Sequence, residues 1–350
     1  MLTAILSGDT PRSRILTVLL LAVLVCLAAA PFLFPGVRAL ETAATICIFI
    51  VLVASYDLLL GYTGIVSFAH TMFFGLGAYG VALASTHLGR SWGALLVGTA
   101  SGAVAAAVLA LLIGLFSLRV RAIFFAMITL AVASAVAVLV SQLFEITGGE
   151  DGLTYQIPRA LTPAFRFGEL FGVNLNGRII NYYLVFAASL VLFLLLLRIV
   201  NSPFGRVLQA IRENDFRAEA IGYRVVWYRT AATCLSAAVA ALAGSLYAIW
   251  LRYVGPDTTL SFEIMLDILL MVVIGGMGTM YGAVLGAVIF VLAQNYLQSL
   301  MGVAAGAAEG LPVLPLLLDP NRWLMWLGIL FILSVYFFPT GIVGRLRSGR

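Results

Sequence analysis

The sequence predicts an all-α protein, a polytopic bundle of about ten transmembrane helices (roughly eight to ten) built as one domain over residues 1–350. Three observations carry this. The chain is 63% hydrophobic and only 10% charged, against about a quarter charged in soluble domains, and its mean hydropathy is +1.10. Its apolar residues gather into runs of about 20, the length that crosses a hydrocarbon core. Its charges fall mostly between those runs. The formal net charge of +5 therefore concerns orientation in the lipid bilayer, and no nucleic-acid partner is expected.

The same inventory excludes some chemistry. All 20 basic residues are Arg, so neither a phosphate-loop Lys nor a Schiff-base Lys exists in this chain. Cys26, Cys47 and Cys234 sit within apolar runs as packing residues, with no disulfide or metal-binding spacing. No metal and no cofactor are expected here, and the chain is not expected to be an enzyme.

The first apolar run, Ile15–Phe34, follows Arg12 and Arg14. Ala28-Ala29-Ala30 resembles a signal-peptidase site, but Pro31 directly after it disfavours cleavage, so an uncleaved span is expected. A second run covers Leu40–Leu60 and contains Asp57, expected to reach the membrane interface. Further spans are expected at Trp92–Phe116 and Ala122–Phe144, separated by Arg119 and Arg121. The polar stretch Glu145–Arg178, with TGGEDG at Thr147–Gly152, lacks the spaced carboxylates of a calcium loop and reads as an external turn. Spans then follow at Ile180–Leu197, Thr230–Ile249 (with Trp227-Tyr228 as interfacial anchor), Ile264–Ile274 and Ala283–Leu300. Gly302–Asn321 reads as a loop with Pro312 and Pro315, and Trp323–Phe338 as the last span.

Two segments are unusually rich in Gly. Gly61–Gly80 combines Gly61, Gly64, Gly75 and Gly77 with Ser67, His70, Phe73 and Phe74, and Ile274–Gly282 contains Gly275 and Gly276. Gly at this density permits close helix packing or an interrupted span, and interrupted helices at membrane depth line cavities. These ten residues are the expected substrate path, with plain helix packing as the alternative. Full spans and re-entrant segments both remain open for 61–85 and 264–282. Counting 61–85 as a crossing makes ten spans and puts Arg12, Arg14, Arg119, Arg121, residues 201–229 and the Arg-rich tail on one side. Arg38 and Arg90 are exceptions. An intramembrane serine hydrolase using Ser67 with His70 or His87 is disfavoured, because GIVSF is not a nucleophile elbow. A proton-coupled carrier using Asp57, Asp267 and His70 is a rival of a different class.

The most charged stretch is Asn201–Arg229. Counted from Arg198, it holds six Arg and three carboxylates. Ser202-Pro203 is a helix start, Phe204, Val207, Leu208 and Ile211 make one apolar stripe, and Asn214-Asp215 supports a second cap. Gly222 suits a left-handed helix stop. Two short surface helices are expected, with charge facing water as a docking surface.

Here the motifs GYTGIVSFAHTMFFGLGAYG (61–80), ITGGEDGL (146–153), SPFGRVLQAIREND (202–215), AEAIGY (218–223), MVVIGGMGTMYGAVLGA (271–287) and RWLMWLGILFILSVYFFPTGIVG (322–344) stand in one order. The chain resembles the M-type permease subunit of branched-chain amino acid ABC importers over almost everything after the first span. The resemblance implies a bacterial inner-membrane permease, and the Arg distribution over ten spans predicts both termini cytoplasmic. Implied partners are a second homologous permease subunit, two cytoplasmic ATPase subunits holding ATP and Mg, an external solute-binding protein and membrane lipid. It implies inward transport of a small branched-chain amino acid by alternating access, with urea, short amides or aromatic acids as alternative cargo. It maps the ATPase-docking signature onto Ala218, Glu219, Ala220 and Gly222. Other importers have Glu six residues before the Gly, where this chain has Phe216, so Arg212, Glu213, Asp215 and Arg217 are further candidates for the central contact.

Overall fold

The computed structural model describes residues 13–34, 36–117, 122–170, 173–307, 319–338 and 340–348. Helix dominates, as composition requires. Arg119, Arg121, Pro312 and Pro315 lie outside the described residues.

The first run is two pieces, α1 (Arg14–Ala28) and the one-turn α2 (Ala30–Leu33). Pro31, in the first turn of α2, has no N–H to continue the ladder of α1, so the helix is interrupted within the expected first span. Next come α3 (Val37–Thr63), α4 (His70–Leu88), α5 (Trp92–Ser117), α6 (Ala122–Gln142) and the short α7 (Phe144–Thr147). The polar stretch after α6 is not featureless coil. It holds β1 (Leu153–Thr154) and a hairpin of β2 (Arg166–Leu170) and β3 (Val173–Asn176). Asn176 then caps α8 (Gly177–Val200) by accepting from Ile179 N–H at 3.3 Å.

The polar stretch forms α9 (Pro203–Glu213) and α10 (Asp215–Ala220). Its last residues, 225–229, belong instead to α11 (Val225–Leu251), so Trp227 and Tyr228 lie inside a helix rather than before one. A two-residue β4 (Tyr253–Val254) pairs antiparallel with β1. After it come α12 (Pro256–Thr259), α13 (Phe262–Gly275), α14 (Met280–Ala307), α15 (Trp323–Phe337) and α16 (Gly341–Ser348). Helix α14 runs through Gly302 to Ala307, which shortens the expected loop; without Pro in that stretch nothing stops it.

Among the described residues seven helical units are long and apolar enough to cross a membrane: α3, α5, α6, α8, α11, α12 with α13, and α14. Helices α1 and α15 have 15 residues each, and α4 is less apolar. The span count is thus seven to ten.

Helix α3 is the hub. It is apolar on all sides, the pattern of a helix with no wet face, and 83% of its central window is buried. Helices α4, α5 and α11 pack together beside it, α14 and α8 lie on its other flanks, and α13 packs on α14. Helix α6 is the opposite case, 11% buried, although no less apolar than α3. The two Arg that broke the charge pattern are held by their own chain. Arg38 donates to the Asn295 carbonyl at 2.5 Å and sits over the Tyr296 ring, and Arg90 donates to the Ile157 carbonyl at 3.4 Å.

Candidate functional site

The polar stretch folds as its local signals require. Ser202 Oγ accepts from Gly205 N–H and Pro203 opens α9. Leu208 and Ile211 are buried and Phe204 and Val207 half-buried, so the apolar stripe rests on the bundle. Asn214 Oδ1 caps α10 by accepting from Arg217 N–H at 2.9 Å. Gly222 has φ +97; its N–H donates to the Glu219 carbonyl at 2.9 Å and Tyr223 N–H to the Ala218 carbonyl at 3.0 Å. That pattern closes a helix through a left-handed residue.

The charges on this helix pair do not all face outward. Glu213, Arg217, Glu219 and Ala220 are exposed, whereas Ala218 is buried against Ile211 and Val225. Asp215 is half-buried; its Oδ1 accepts from Phe216 N–H and its Oδ2 lies 3.7 Å from Arg229 Nη2. Arg212 departs furthest from expectation. Its Nη1 donates to the carbonyl of Gly61 in the last turn of α3, and its stem crosses Gly64. A cation on a terminal helix carbonyl satisfies an orphan acceptor and opposes the helix dipole. Arg212 is therefore tied to the bundle through one nitrogen while the residue as a whole stays exposed.

Gly61 stands at a junction. Asp57 is buried, and its Oδ1 accepts from Gly278 N–H at 2.8 Å, just before α14 begins. This corrects the expectation that Asp57 reaches the membrane interface. Its Oδ1 is held by a backbone donor at the positive end of a helix, which offsets part of the cost of burying the group. Gly64, exposed with φ +72, closes α3, while Gly275 ends α13 and Gly276 follows it towards α14, both buried against Gly341. The junction thus joins the ends of both Gly-rich segments to the polar stretch.

The helical break in 61–80 is confined to 64–69, and Gly75 and Gly77 lie within continuous α4. Ser67, His70, Phe73, Phe74, Gly75 and Gly77 are all buried among the chain's own helices. His70 Nε2 lies 2.8 Å from Ser55 Oγ, not Ser67, whose Oγ accepts from Ala69 N–H at 3.3 Å. Ser55 and Ser236, whose Oγ donates to the Ser55 carbonyl at 2.5 Å, were missed by sequence reasoning; isolated Ser residues in apolar runs carry no local signal.

An open cleft of about 480 Å³ lies between α6, the start of α4 and the segment around α12. It reaches from Phe68 and Thr71, at the break before α4, to Glu150 and Asp257 on the connecting loops. Gly61, Gly64, Ser67, His70, Phe73, Phe74, Gly75, Gly77, Gly275 and Gly276 are not among its lining residues.

A family model described as the permease component of the branched-chain amino acid transport system matches residues 38–335. The chain belongs to that permease family. The permease is 28% identical over 331 residues to the high-affinity branched-chain amino acid transport permease LivM of Salmonella typhimurium, covering 90% of this chain and 76% of the relative. LivM of Escherichia coli is also 28% identical, with the same coverage. A probable LivM of Methanocaldococcus jannaschii is 30% identical over 61% of this chain and 58% of the relative. No solved structure matches the permease. Family and apolar helices together make it an integral membrane protein.

Proposed function

We propose that this permease is one of two homologous membrane subunits of an ATP-driven importer in the bacterial plasma membrane. An external binding protein delivers a small amino acid of the branched-chain type, two cytoplasmic ATPases supply energy, and the solute moves inward by alternating access. The observation that carries this is the amphipathic pair α9–α10. Its apolar stripe is seated on the bundle, its outer charges are exposed, and Arg212 connects it to Gly61. The relatives' names support the cargo class. Shifting a transporter from 1:99 to 99:1 between two states takes about 5.5 kcal/mol of differential binding, and on this reading that comes from nucleotide on the ATPases.

The test is co-purification of the ATPases with the permease, with ATP-driven uptake in proteoliposomes. Glu219→Arg is expected to weaken ATPase association, since a rim charge sets encounter and register. Arg212→Met keeps the stem over Gly64 and deletes the donor to Gly61. It is expected to retain the ATPases within about twofold while uptake falls about tenfold, the scale of a lost charged hydrogen bond. Lost ATPase binding in Arg212→Met would make Arg212 a docking residue instead. The Arg distribution also sets orientation. In intact cells an impermeant thiol reagent should label Ala164→Cys and spare Gln209→Cys; the opposite pattern would invert the topology.

A further inference from the structure

The cavity beside α6 has two chemically distinct ends. Its apolar end is Phe68 against the exposed Phe262, ring centroids 6.1 Å apart and tilted. The Phe68 N–H donates to Thr129 Oγ1 at 3.1 Å, which ties this end to α6. The α6 wall offers the hydroxyls of Ser134 and Ser141, and the mouth carries the exposed carboxylates of Glu150 and Asp257. No Arg lines the cavity. At about 480 Å³ it falls in the range of small-molecule sites. Its loop-side mouth lies on the same connections as β1 and β4, the face that the Arg distribution places outside.

We propose that this cavity is the solute's vestibule. It takes the ammonium group of a zwitterion against Glu150 and Asp257 and its apolar side chain against Phe68 and Phe262. Solutes whose sole charge is negative are turned away, because an acidic mouth without a counter-cation repels them. The proposal rests on the importer reading and narrows its cargo: amino acids are admitted and aromatic acids are not.

The test uses the full-length permease in membranes with Cys26, Cys47 and Cys234 replaced and a single Ser134→Cys. Cationic and anionic thiosulfonate reagents of similar size are added from the Ala164 side. Thiolate fraction is common to both reagents, so their rate ratio isolates the field. The cationic reagent is expected to react about tenfold faster, within the range of electrostatic steering. Glu150→Gln with Asp257→Asn should bring the two rates within about twofold while a neutral reagent reacts as before. Leucine should slow labelling, and benzoate should not. Ser141→Cys repeats the measurement if the first variant folds poorly. Equal rates in the parent would overturn the charge filter, and absence of labelling by any reagent would mean that lipid or protein fills the cavity. ATP-driven uptake, measured separately on the same preparations, tests the importer reading; its failure with the rate ratio intact would leave the vestibule and remove the importer.

Discussion

Gly77→Val is expected to abolish accumulation of the folded permease. A Cβ at Gly77 would fall 1.8 Å from the Ala241 carbonyl oxygen, and one at Gly244, on the facing helix, 1.9 Å from that of Phe74. Ser245 Oγ donates to the Gly77 carbonyl at 3.1 Å across the same seam. The obstacle is backbone, which cannot rotate aside, so α4 and α11 must separate along their length. Overpacking a core costs about 1–3 kcal/mol and occasionally more, and helices in lipid associate mainly through such close packing. Gly75→Ala is the contrast. Its Cβ would meet Leu260 at Cδ2 (2.2 Å) and Cγ (2.8 Å), a side chain rather than backbone, and a fall in Tm without loss of yield is expected. Both are read from monodisperse yield and Tm after detergent extraction. Wild-type values for Gly77→Val would show that the seam is not close-packed.

Gly222→Val is expected to leave the permease folded and, on the importer reading, to disconnect it from the ATPases. Nothing lies within 4 Å of a Cβ at this position, so the effect is backbone strain alone. The φ of +97 is an outlier for a β-branched residue, and such strain costs about 1–3 kcal/mol. Relief comes by unwinding the end of α10, which re-aims Glu219 and separates Tyr223 from Tyr228, now 5.7 Å apart ring to ring. Co-purification of the ATPases should fall about tenfold, equivalent to about 1.4 kcal/mol, or hydrolysis should persist without uptake. Asn, which tolerates positive φ, should be milder than Ala, and Ala milder than Val. Full association and uptake with Val would remove this turn from the coupling route.

The sequence by itself determined whatever depends on neighbours along the chain. Long apolar runs dictated a helical membrane bundle, and Ser202, Pro203, Asn214 and Gly222 set the start and stop of the two polar helices. Their apolar stripe is also local, since a helix repeats every 3.6 residues. Only the tertiary structure decided which polar side chains meet groups on other helices. Arg212 meets Gly61 across 151 positions and Asp57 meets Gly278 across 221, and no periodicity encodes a pairing at that distance. For the same reason Gly77 looked like Gly64 in sequence, although one lies in a helix seam and the other ends a helix. The contrast between buried α3 and nearly bare α6 was equally hidden, because a helix facing lipid and a helix facing other helices are written in the same apolar residues.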